Sequence, residues 1–94
     1  MANEVVYYDS SDAITDTKTT DIFGVTKVDN NYNMLRIKND TDKDVIVTFG
    51  NGANNYLAKS GENILQAFSC SAKVALSVAS GSSTGNFFIQ LSKG

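Results

Sequence analysis

Histidine, proline and tryptophan are absent from this 94-residue chain, and its one cysteine and one arginine are Cys70 and Arg36. Without histidine there is no side chain whose ordinary pKa lies near neutrality. The usual general base, the Ser-His and Cys-His nucleophile systems and the commonest zinc ligand are therefore all missing. A lone thiol makes no internal disulfide, so stability must come from packing and the backbone ladder. Cys70 lies between Ser69 and Ser71 and reads as a small buried or half-buried residue kept reduced in a cytoplasm. No apolar run approaches the roughly 18 to 20 residues of a membrane span, and Met1-Ala2-Asn3-Glu4 lacks the basic start and apolar stretch of a secretory signal. The expectation is a protein used outside the export pathway, with no membrane partner.

Positive charge is also scarce. The net charge is −2 and the isoelectric point about 4.8. The lysines at 18, 27, 38, 43, 59, 73 and 93 stand singly, leaving no basic stripe to neutralise phosphates, so nucleic acid is not an expected partner. At this length there is room for one core only, and a small core without disulfides benefits from oligomerisation or docking.

What remains is β-prone. Val5, Val6, Tyr7 and Tyr8 form a short run that fits either an edge strand or an extended arm laid against another subunit. An Asp/Ser/Thr-rich stretch from Asp9 to Thr20 follows, then Ile22, Phe23, Val25 and Val28, which suggest a short strand. From Tyr32 to Lys38, Leu35 and Ile37 alternate with Met34, Arg36 and Lys38, the pattern of a half-buried strand. Thr41 to Lys43 reads as a reversal into Val45, Val47 and Phe49, so these two strands are expected to form a hairpin. Gly50-Asn51-Gly52 and Lys59 to Glu62 mark further turns. Ile64 to Phe68, then Val74, Leu76 and Val78, then Phe87, Ile89 and Leu91 supply the remaining strands. These elements predict an all-β fold, a small antiparallel β-sandwich or barrel of about six to eight strands. An N-terminal arm and polar loop over 1–28 would precede a β-sandwich core over 29–94.

Candidate chemistry is thin. Glu4, Glu62 and the aspartates could in principle supply a carboxylate pair for glycoside hydrolysis, yet most lie in turn contexts where Asp accepts backbone hydrogen bonds. Asp40, Asp42 and Asp44 resemble the opening of a calcium loop. However, Val45 stands where such a loop needs glycine and Asn51 where it needs glutamate, so a capped turn is the better reading and no metal or cofactor is expected. The glycine-rich turns lack a phosphate loop's lysine and helix. Asn39-Asp40-Thr41 matches the glycosylation pattern formally but reads as turn chemistry. Tyr7, Tyr8, Tyr32 and Tyr56 could stack on a sugar, though with no tryptophan and no planar spacing strand packing is the better reading. No catalytic residue is assigned, and the chain reads as a non-enzyme.

One pattern is more specific. Leu35-Arg36-Ile37-Lys38-Asn39-Asp40-Thr41-Asp42 runs an apolar strand into Asn-x-Thr-Asp. It continues as Asp44-Val45-Ile46-Val47-Thr48-Phe49-Gly50 and then Asn55-Tyr56-Leu57-Ala58-Lys59-Ser60-Gly61. This resembles small β-sandwich structural proteins of tailed bacteriophages over roughly two thirds of the chain, from Met34 to Gly94. Ala58 stands where the family commonly has proline, and Gly85 to Leu91 follows its terminal strand only loosely. The resemblance implies a non-enzymatic virion protein assembled in the host cytoplasm. The foremost expectation is a capsid decoration or cement protein, bound in many copies to the major capsid protein or another virion protein, and itself a homo-oligomer. A tail, neck or fibre component and, in a different class, a carbohydrate-binding module are the alternatives. The residues expected to make protein contacts are Val5, Val6, Tyr7 and Tyr8.

Overall fold

The computed structural model describes residues 5–17, 22–23, 32–50, 54–68 and 74–92. Seven strands are found among them: β1 (Val5–Ser10), β2 (Met34–Thr41), β3 (Val45–Phe49), β4 (Asn54–Ala58), β5 (Asn63–Ala67), β6 (Val74–Val78) and β7 (Gly85–Ser92). They form two antiparallel sheets, one ordered β1-β7-β2-β5 and the other β4-β3-β6. This is the small all-β sandwich that the strand pattern predicts.

The alternation in the sequence becomes the two sides of each sheet. Leu35 and Ile37 of β2 and Phe87, Ile89 and Leu91 of β7 point inward and are buried. From the second sheet Val45, Val47 and Phe49 meet them, with Val74, Leu76 and Val78 of β6, and Ile14 and Tyr32 join the same cluster. β6 departs from simple alternation. Ala75 and Ser77, on the side away from the core, are buried as well, and small side chains suit a strand covered on both faces.

Three expectations change. The β2–β3 connection is a corner between sheets and not a hairpin, because β2 pairs with β7 and β5 while β3 pairs with β4 and β6. Side chains explain the step. Asn39 Nδ2 donates to the carbonyls of Lys43 at 3.0 Å and Ala58 at 2.8 Å, and Thr41 Oγ1, which donates to Asn39 Oδ1 at 2.6 Å, accepts from Lys43 N at 3.3 Å. The turn is thus tied across to β4. The true hairpin is β3–β4, entered at Gly50 with a φ of 63°.

Second, Asn39 to Thr41 belongs to β2 itself, paired with Phe87 to Gly85. Third, Val5 to Tyr8 lies within an edge strand whose six residues all pair with β7, so the edge-strand alternative, not the free arm, describes it. The described part of segment 1–28 shares the core of 29–94: Val6, Tyr8, Ile22 and Phe23 pack against it and Ile14 lies within it. Ile22 and Phe23 sit in a turn and not a strand, while Val25, Val28 and Cys70 lie outside the described residues.

Candidate binding face

Because β7 and β2 are central in the four-stranded sheet, their outward residues form the middle of a broad face. The register sets Tyr7, Gln90, Arg36 and Leu65 in one row across β1, β7, β2 and β5, and Asp9, Phe88, Lys38 and Asn63 in the next. The Tyr7 and Phe88 rings, diagonal neighbours on this face, stack with centroids 6.2 Å apart and planes at 26°. Asn86 Nδ2 donates to Asp9 Oδ1 at 2.6 Å, fixing the carboxylate beside Phe88. Lys38 Nζ lies 3.8 Å from Asp40, an exposed pair worth little in stability.

Between these side chains is an open depression of about 430 Å³, lined by Arg36, Lys38, Asp40, Asp9, Asn86, Phe88 and Gln90. Its formal charges balance, two cations against two carboxylates. Three of the exposed large apolar residues, Val5 (48%), Tyr7 (66%) and Leu65 (61%), stand on the same face. A sheet surface that mixes an aromatic pair, the chain's single guanidinium and exposed apolar side chains has the composition of an interaction surface more than of a solvated one.

The residues expected to make contacts divide. Val5 and Tyr7 point outward and are exposed, whereas Val6 and Tyr8 point inward and pack against the core. The tyrosines likewise do not form one platform. Tyr32 is buried, and Tyr56 of β4 packs edge-on to Phe68 with centroids 6.0 Å apart. Burial, and then a hydrogen bond to the Glu62 carboxylate, push the Tyr56 phenol above its ordinary pKa.

The three aspartates of the turn go separate ways. Asp42 Oδ1 accepts from Thr84 N at 2.8 Å, Asp44 Oδ1 accepts from Ser60 N at 2.9 Å, and Asp40 faces Lys38. Asp42 N–H returns a bond to Thr84 O at 3.0 Å, and the Thr84 N–H is the main cause holding the Asp42 carboxyl below its ordinary 3.8. Among the described residues no three His, Cys, Asp or Glu side chains come together as a metal site. Phe88, Arg36 and Gln90 belong to no binding motif in the sequence, and the one local signal of this face is Phe88, an aromatic at a position of β7 that the alternation assigns to solvent.

Fold and face together define a small antiparallel β-sandwich that presents one mixed apolar and charged sheet surface. Compared with protein families, curated proteins and solved structures, the chain matches none.

Proposed function

We propose that this chain is a non-enzymatic structural protein of a tailed-phage virion. More specifically, we read it as a decoration or cement protein that docks on the assembled head in many copies through the outer face of its four-stranded sheet. The resemblance of Leu35 to Gly61 to such proteins supplies the setting. The observation that supports docking is the gathering of Val5, Tyr7 and Leu65 around Arg36 and Phe88 on one face. Aromatic and arginine side chains dominate the energetics of protein interfaces, and balanced charge lets such a face meet a patterned neighbour without net repulsion.

The test is co-sedimentation of the purified protein with phage heads that lack it. Binding is expected for the wild type, with affinity reduced at least about tenfold by Leu65→Asp or Arg36→Glu. Both side chains face solvent, so unfolding should shift by no more than about 0.5 kcal/mol. A wild type that leaves heads unoccupied, together with its absence from purified particles, would end this reading. Copy number separates the tail, neck or fibre alternative, which requires few copies per particle. The carbohydrate alternative is favoured by the depression beside Phe88, where planar amides, carboxylates and a guanidinium could pair with sugar hydroxyls. A glycan array in which every signal survives Tyr7→Ala and Gln90→Ala would remove it.

A further inference from the structure

The edges of the two sheets are treated differently. Along β6 the chain supplies its own cover: Val78 N–H donates to Thr15 O at 3.0 Å and Ile22 N–H donates to Val74 O at 3.3 Å. β1 pairs with β7 on one side, and among the described residues no backbone group is bonded to its other side. Nor does β1 carry the usual protection of an edge. It has no lysine, no proline and no bulge, its register running unbroken from Val5↔Ser92 to Ser10↔Phe87. Its only charge, Asp9, is held by Asn86. The other open edges, β4 and β5, are shorter, and each begins with asparagine and shows one exposed large apolar residue, Leu57 or Leu65. β1 offers Val-Val-Tyr-Tyr, the strongest β-forming run in any of the three.

We propose that β1 pairs antiparallel with β1 of a second copy across a two-fold axis at Tyr7, joining two four-stranded sheets into one continuous sheet. The axis follows from the pleat. For both sandwiches to keep their cores on the same side, it must stand perpendicular to the sheet and pass through a residue, so that outward residues face outward ones. An axis at Asp9 sets two carboxylates opposite each other, which is unfavourable. An axis at Tyr8 sets Tyr7 against Asp9 and spends Val6 on Ser10. An axis at Val6 pairs only Val5 to Tyr7 and leaves Tyr8, Asp9 and Ser10 without partners in the strand. At Tyr7 the pairs are Tyr7 with Tyr7, Val6 with Tyr8, and Val5 with Asp9. The inward Val6 and Tyr8 then bridge the two cores, and the outward tyrosines meet between the two Phe88 rings. A second copy is the occupant this strand fits because the register is apolar where it is central and sets no like charges together.

This pairing is independent of the virion reading, since the purified chain alone tests it. Light scattering across a dilution series should give a dimer for the wild type. Tyr7→Lys sets two ammonium groups face to face at a position that is 66% exposed. It should weaken dimerisation at least tenfold while the far-ultraviolet circular dichroism spectrum is kept. In a Cys70→Ser background, Tyr7→Cys should oxidise to a covalent dimer, because directly opposed residues fall within disulfide reach. Val5→Cys, which the register places opposite Asp9, should not. A wild type that stays monomeric throughout overturns the proposal, as does a dimer indifferent to Tyr7→Lys, or Val5→Cys cross-linking as readily as Tyr7→Cys.

Discussion

Asn39 uses all of its side-chain capacity inside the protein. Its amide donates to Lys43 O and Ala58 O, and its Oδ1 accepts from Thr41 N at 3.0 Å and Thr41 Oγ1 at 2.6 Å. Its exposure is 0%, so removing the amide takes a donor from the buried Ala58 O and an acceptor from the buried Thr41 N–H, and leaves Lys43 O and the Thr41 hydroxyl only each other. Asn39→Ala should cost about 2–4 kcal/mol in a urea titration. Asn39→Asp, which turns a donor toward neither carbonyl, should be at least as costly. Asp42 acts at the surface and its contribution depends on pH. Its folded pKa is lowered by the Thr84 N–H, so its stabilisation is complete above the unfolded value of 3.8 and is lost as pH falls through the folded one. The gap in urea midpoint between wild type and Asp42→Asn should therefore be widest near neutral pH and close at acid pH. A gap that persists unchanged there would assign the effect to something other than the ionised carboxylate.

At the scale of elements, β2 and β7 were legible because each has one face in the core and one in solvent, which the period of two records directly. The corner after β2 was not. Asn-Asp-Thr-Asp is turn chemistry whether the chain reverses within a sheet or steps to another, and only the position of Ala58 O and Lys43 O decides which. β6 also hid its second buried face, since Ala75 and Ser77 suit a crowded side as well as an exposed one. The outer face of β2 and β7 was missed for a related reason: its residues come from four strands far apart in sequence and meet only through register. The β2–β7 pairing carries its own test at Gly85. There φ is 105° and an added Cβ would lie 2.5 Å from Asp40 O and 3.1 Å from Thr41 Cα. Gly85→Ala should lose about 2–4 kcal/mol, from backbone strain and from parting the two strands. A change below about 1 kcal/mol in the same titration would mean that this close approach relaxes at little cost.

For the whole molecule, the first strand is part of the sandwich. Val6 and Tyr8 lean on the core and every residue of β1 pairs with β7. Removing residues 1–10 should accordingly lower stability by at least about 2 kcal/mol, and it would bare the side of β7, inviting aggregation. A truncated chain with an unchanged unfolding midpoint would return the segment to the status of a loose arm. The Val5↔Ser92 pairing also governs timing during synthesis. Of the seven strands β1 is made before the others, and it cannot take its place until β7, made after them all, has cleared the exit tunnel. Until then β1 leads the emerging chain with its Val-Val-Tyr-Tyr run unpaired by β7, a delay of more than seventy residues between the making of a strand and of its partner.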